Sequence, residues 1–331
     1  MEKVIRAFLL LEGLAKQKLI FVFKGGTALM LHFNSTKRLS IDIDIILPDE
    51  VKDFESVLSA MTQEQGFLRW ELQHRRANLK IKKEHYKFFY NPLHKTNKTE
   101  EYVLLDILFE QVNYTNLVSM PIQSDFVPIM DKPLNVDVPS LEDILGDKLT
   151  AFAPNTTGIP YFKKDDSMSM EIIKQLYDIG NLFDAANDLE TIKTTFYRFA
   201  KTEIAYRKSE GTNENDVLED IYETALCIVT RGSYGKGNFD ELQNGIRRIS
   251  SFIFSESYHI EKAINHASKA AYLSVLIQYE AKAIDKFEHP LQLKDWQIGE
   301  PLNSKLNKLK KSNPEAFFYW YKIYELKSKI G

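Results

Sequence analysis

The hydrophobic pattern changes its period once, near residue 140. Before that point short apolar runs of strand length alternate with helical stretches; after it apolar residues recur at threes and fours. Residues 2–17 set Val4, Ile5, Phe8, Leu9, Leu11 and Leu14 at helical spacing and predict a helix. The apolar run 19–23 ends on Lys24-Gly25-Gly26, which predicts a strand followed by a glycine turn. Thr27 then caps a helix reaching Leu31 or Phe33. Past a polar loop, 39–47 alternates with period two and predicts a strand, stopped by Pro48 and followed by a helix near 50–65. Further strands are predicted over 67–73, 78–81 and 86–90. After a loop at 94–99, a strongly apolar strand at 102–110 carries one central carboxylate, Asp106. Pro121, Pro128, Pro133 and Pro139 make 117–139 loop and short strand.

Ser140 and Asp143 have the spacing of a helix start, and helices are predicted over 169–187, 189–208, 214–231, 238–254, 258–285 and 314–329. No internal repeat interrupts this succession. The expected class is α+β: an α/β domain over residues 1–140, then a helical domain over 141–331 whose first helices complete the site. A chain of 331 residues is long enough for two cores.

Composition narrows the function classes. With 44% hydrophobic and 27% charged residues the chain is an ordinary globular protein, and a net charge of −3 excludes one that coats nucleic acid by bulk charge. A local basic patch stays open. The single cysteine, Cys227, excludes an internal disulfide and a CxxC zinc site, suits a reducing compartment, and sits in the apolar run 225–229 as a buried thiol. The seven histidines show no HxxxH or HxH pairing, so zinc is not expected. No apolar stretch reaches the ~18–20 residues of a membrane span. Residues 1–18 lack the apolar core of a signal peptide, so a cytoplasmic protein is expected.

The chemistry concentrates in 21–47. On an alternating strand Asp42 and Asp44 share one face while Ile41, Ile43 and Ile45 share the other. Two carboxylates roughly 7 Å apart repel unless a cation lies between them, and hard Mg²⁺ prefers such oxygens. Asp106, if its strand is adjacent, makes a triad able to hold two Mg²⁺ ions and clamp a triphosphate; the alternative is a carboxylate facing solvent. Gly25 and Gly26 let the backbone approach a phosphate, with Thr27 adding donors, unless they form a plain turn. Arg38 can hold a phosphate or pair with a carboxylate, and Ser40 shares the aspartate face.

These motifs in this order resemble the AbiEii/AbiGii-type nucleotidyltransferase toxins of bacterial toxin–antitoxin systems: Lys24-Gly25-Gly26-Thr27, Arg38-x-Ser40-x-Asp42-Ile43-Asp44, the strand Asp106, then Glu142 with Lys148, and Tyr177-Asp178. The resemblance covers roughly residues 20–185. It implies a polymerase-β-type nucleotidyltransferase sheet and a nucleotide loop at Gly25, Gly26 and Thr27, with Arg38 and Ser40 beside it. It places metal ligands at Asp42, Asp44 and Asp106, a helical lysine at Lys148, and a late aspartate at Asp178. Lys148 is expected either to meet the triphosphate or to be solvated, and Asp178 to act in the site or to form an ion pair, with Lys148 itself a candidate. Lys174 shares the face of Asp178 at i+4. The run Ile172-Ile173-Lys174-Gln175 departs from the more basic run of relatives and alters the nucleotide contacts expected there.

The family further implies a nucleoside triphosphate substrate, a cognate antitoxin, tRNA or another RNA as acceptor, and a setting in phage defence. Residues 300–331 hold seven Lys against three Glu with interleaved aromatics; they read as RNA-contacting or, preferably, as an aromatic-packed helix with a solvated basic face. Residues 231–237 read as a loop between helices. Two other readings compete: nucleotidyl transfer to a small molecule such as an aminoglycoside, and a non-catalytic module that keeps the fold.

Overall fold

Residues 1–35, 37–49, 51–73, 82–94, 99–124, 132–207 and 211–329 are described in this computed structural model of the chain. Two units divide it, Met1–Ser140 and Leu141–Gly331. In the first, α1 (Glu2–Lys16) precedes β1 (Val22–Lys24), α2 (Gly25–Phe33), β2 (Ile43–Leu47) and α3 (Phe54–Glu64). Then come β3 (Arg69–Leu72), β4 (Lys82–Tyr90), β5 (Glu101–Phe109), β6 (Leu117–Pro121) and β7 (Asn135–Pro139). The strands form a seven-stranded sheet in the order β3-β4-β5-β2-β1-β7-β6. β2 lies parallel to β5 and β1 parallel to β7, while the other neighbours are antiparallel, so the sheet is mixed.

The central place of β2 explains its sequence. Ile43, Ile45, Ile46 and Leu47 are all buried, because a strand with neighbours on both sides is covered over most of its surface. Helix α1 packs against β5, β2 and α3 with Val4, Ala7, Phe8, Leu10, Leu11 and Leu14, its apolar stripe. Leu39 and Ile41 pack against the same core, so the alternation continues before the strand proper begins.

That beginning is later than the sequence predicts. The strand expected over 39–47 starts at Ile43. β1 ends at Lys24, opposite Asp44, so Asp42 has no residue to pair with on that side. In the other direction β4 is longer than the 86–90 expected, since Lys82 to Tyr90 pairs with β5 along its whole length. Its polar first half carries no apolar alternation to reveal it. The strand expected at 78–81 and most of the loop at 94–99 lie outside the described residues. Within 117–139, β6 and β7 pair with each other.

The second unit contains α4 (Leu141–Ala151), a short hairpin of β8 (Phe162–Lys163) and β9 (Asp166–Ser167), α5 (Ser169–Ala185), α6 (Leu189–Arg207), α7 (Glu214–Val229) and α8 (Phe239–Ile249). It continues with α9 (Ile260–Gln278), α10 (Asn303–Leu306), α11 (Leu309–Ser312) and α12 (Pro314–Ser328). Helix α9 is its axle, with small residues Ala263, Ala267, Ala270 and Ala271 buried where it meets α5, α7 and α12. Lys269, only 3% exposed, ties three helices through Asp184 Oδ1 at 2.7 Å and Glu315 Oε1 at 2.9 Å. The expected helices at 238–254 and 258–285 are shorter: one passes into a 3-10 turn at Ser250–Phe252, and the other ends before Glu280, whose φ is +50°. Cys227 is buried, and burial pushes its thiol pKa up. Phe317, Phe318, Tyr319 and Trp320 of α12 are core residues, so that aromatic run packs and does not stack outward. Among the described residues no helix is long and apolar enough to cross a membrane.

Candidate active site

Strand register builds the site. Lys24 of β1 pairs with Asp44 of β2, Asp44 pairs with Asp106 of β5, and Asp106 pairs with His85 of β4. Residues paired in a ladder project to the same side, so Lys24, Asp44, Asp106 and His85 form a row across four adjacent strands. Their neighbours Ile43, Ile45, Leu105, Ile107 and Tyr86 enter the core. The row therefore lies on the opposite face, where the Asp106 side chain is 28% and that of His85 17% exposed. His85 Nδ1 lies 2.7 Å from Asp106 Oδ1. An ionised carboxylate can only accept, so Nδ1 donates.

Two carboxylates on neighbouring strands are electrostatically costly. At about 5 Å and an effective dielectric of 20 two unit charges repel by roughly 3 kcal/mol, less where water reaches them. A divalent cation reverses that sign. Among the described residues, no group of three Asp, Glu, His or Cys side chains forms a ready metal cage. Mg²⁺ does not need one: it keeps several waters and uses one or two carboxylates together with substrate phosphates. Asp44 beside Asp106 meets that requirement.

The glycine turn is built against the same carboxylates. Gly25 has φ +82°, and a Cβ there would overlap Asp44 Oδ2. A Cβ on Gly26 would stand 2.6 Å from Arg38 Nη2 and 2.9 Å from Ser40 Oγ. Gly25, Gly26, Arg38, Ser40 and Asp44 are thus brought together at the N-terminus of α2, whose first N–H groups have no intrahelical acceptor. Arg38 is buried to 8% exposure, with Nη1 donating weakly to Leu39 O at 3.4 Å. Thr27 is fully buried and its Oγ1 donates to the Asp42 carbonyl at 2.7 Å. Its hydroxyl pins α2 to the approach of β2. Asp42 stands just ahead of β2, beyond the last ladder pair to β1.

Lys148 and Asp178 meet within the second unit. Lys148 Nζ lies 2.8 Å from Asp178 Oδ2, with the side chains 8% and 3% exposed, and donates to Gln175 Oε1 at 3.1 Å. Of the two expectations for Asp178, the structure shows the ion pair. Gln175 supplies a neutral acceptor one turn before it. Lys174 turns to Glu171 instead, at 2.8 Å. Tyr177, Tyr258 and His266 form a ring cluster with centroids 5.1–5.6 Å apart, edge-on or tilted to one another.

His85 is the contact that sequence reasoning missed. Its spacing on a polar strand start carries no motif, and only the β4–β5 register brings it to Asp106.

A family model described as "Nucleotidyl transferase AbiEii toxin, Type IV TA system" matches residues 9–244. No curated protein is matched by this sequence. Among solved structures, the nucleotidyltransferase toxin MenT4 from Mycobacterium tuberculosis H37Rv is similar at 14% identity and TM-score 0.52, over 83% of this chain and 82% of that one. JHP933 from Helicobacter pylori is similar at 16% identity and TM-score 0.41, over 84% of this chain and 90% of that one. The MenT4 likeness shows a common fold, of α+β architecture.

Proposed function

The chain belongs to the AbiEii nucleotidyltransferase toxin family of type IV toxin–antitoxin systems, and from that premise we propose a Mg²⁺-dependent transfer of a nucleoside monophosphate onto an RNA hydroxyl, with tRNA the acceptor. The observation that carries the reading is the in-register pairing of Asp44 with Asp106 beside the Gly25–Gly26 turn.

Asp42, Asp44 and Asp106 would hold the metal, two ions when both sites fill. Bound Mg²⁺ supplies neutralisation of the triphosphate and charge stabilisation of the departing pyrophosphate. The protein's own groups do the rest. Backbone N–H groups at Gly25, Gly26 and Thr27 and the Arg38 guanidinium bind phosphate oxygens, with Ser40 beside them. Asp106 accepts the proton of the acceptor hydroxyl as its oxygen bonds to the α-phosphorus. The α–β bridging bond breaks and pyrophosphate leaves with that electron pair.

The RNA acceptor draws on Lys305, Lys308, Lys311 and Lys329, exposed cations of the C-terminal helices of a kind suited to a phosphate backbone. Family membership implies restraint by a separately encoded antitoxin, and an enzyme using NTPs and tRNA works in the cytoplasm. The test is incubation of the protein with each labelled NTP and Mg²⁺, offered total RNA, purified tRNA or an aminoglycoside. Label entering tRNA with wild type and absent with Asp44→Ala, at unchanged circular dichroism, is the expected result. Equal labelling by both proteins would sink the proposal, and label on the aminoglycoside alone would replace the acceptor.

A further inference from the structure

Resting on the metal-binding reading above, we propose that His85 is a positioning residue for Asp106. Its Nδ1–H fixes one carboxylate oxygen and leaves the other presented for the metal and the acceptor's proton.

Three observations support the role. The first is register: His85 and Asp106 are directly opposed on antiparallel strands, where Cβ atoms stand about 4.5–5.5 Å apart. At that separation a short side chain would fall short of the carboxylate and a long one would overshoot. The imidazole, using the ring nitrogen nearer its Cβ, arrives at 2.7 Å. The second is selectivity. The contact is with Oδ1 alone, and neither Asp106 oxygen has another protein partner among the described residues. One lone-pair set is occupied and the carboxylate can no longer spin freely, while its second oxygen is unengaged.

The third is the row itself. Asp106 lies between His85 on one side and Asp44 on the other. Without a donor on the β4 side, repulsion from Asp44 would turn the Asp106 carboxylate away. A donor there sets its plane before any cation arrives. Hydrogen-bonded partners of ligating carboxylates commonly tune metal affinity by ten- to a hundredfold, because they determine which lone pairs face the ion.

The contact is a built one. His85 is four-fifths covered, on the inner part of a strand paired along its length, and does not belong to a mobile surface side chain that happens to reach an aspartate.

The experiment uses the full-length protein and Mn²⁺ alone, titrated by electron paramagnetic resonance, with wild type, His85→Asn, His85→Gln and Asp44→Ala. Asn places an amide donor near the position of Nδ1, whereas Gln places it near that of Nε2 and out of line. Both are polar and suit a partly exposed strand face, so the fold is retained. The expected result is Mn²⁺ affinity within about threefold of wild type for Asn and a loss of about ten- to a hundredfold for Gln. NMP transfer, measured in parallel, is expected to fall in kcat for Gln with KM for the NTP little changed. Gln binding Mn²⁺ as wild type does, while Asp44→Ala loses it, overturns the role of His85 and leaves the metal site standing. Wild type binding no more Mn²⁺ than Asp44→Ala overturns the metal reading, and the role of His85 with it.

Discussion

Gly25 and Asp44 compete for one volume: a Cβ on Gly25 would fall on the Asp44 carboxylate, and the φ of +82° there is already unfavourable for any L side chain. Gly25→Ala is expected to lose about 1–2 kcal/mol from the left-handed backbone alone. Because relief must come by moving Asp44, transfer activity should fall at least about tenfold. Thermal unfolding and an NMP-transfer assay read the two effects separately.

Gly26→Ala makes the contrasting case. Its backbone is not left-handed, and its obstacles are side-chain ends, Arg38 Nη2 at 2.6 Å and Ser40 Oγ at 2.9 Å, of which the guanidinium is buried. Crowding a buried side chain should cost about 1–3 kcal/mol, without the backbone strain of Gly25→Ala. The displaced guanidinium should raise KM for the NTP, which steady-state kinetics would show.

Thr27→Val keeps the shape of a fully buried side chain and removes the donor to Asp42 O. A lost hydrogen bond of this kind costs about 1 kcal/mol, and the freed carbonyl lies at the residue that introduces the aspartate strand. Denaturant melts should show that loss. A variant as stable as wild type would mean the bond holds nothing in place.

Breaking Lys148–Asp178 leaves a buried charge alone. Asp178→Ala is expected to cost about 3–5 kcal/mol, and the double variant Lys148→Met/Asp178→Leu to recover most of it, since burying two charges is itself expensive. If the pair acts only on stability, the double variant keeps its activity. If Lys148 binds phosphate, it folds and is inactive.

His266 makes the helical unit acid-sensitive. Full burial lowers its pKa to about 3, chiefly by desolvation, with Lys269 and Lys262 nearby adding to the effect, so the folded protein keeps it neutral. The unfolded chain takes up the proton below its ordinary value of 6.5. Stability attributable to this group is therefore complete above that pH and declines by about 1.4 kcal/mol per unit as pH falls toward 3. Its Nδ1 has no hydrogen-bond partner among the described residues, so His266→Phe should keep the ring contacts with Tyr177 and Tyr258, remove this slope and cost little. Urea melts between pH 7 and pH 4.5 give the comparison.

Much of this arrangement was legible because alternation records which face is buried. Ile41, Ile43 and Ile45 announced the core side of the aspartate strand, and the lone Asp106 in an apolar run announced a carboxylate that could not be in the core. The pairing of the two strands was not legible, since nothing in either run names its neighbour. His85 was invisible for the same reason: its partner is set by register with β5, and the polar stretch before Tyr86 has no apolar face to mark it as strand. Helix ends in the second unit were overextended because hydrophobic period persists past the residues, such as Glu280, whose backbone turns the chain away.

The carboxylates that face each other in the sheet are made at different times. Asp42 and Asp44 leave the ribosome with β2, whereas Asp106 follows only after α3, β3 and β4 have been synthesised, and β5 must then insert between β4 and β2. At ordinary elongation rates that interval is on the order of several seconds. During it the nascent chain carries an incomplete row. The row of carboxylates is thus completed only once most of the first unit has been translated, a delay written into strand order.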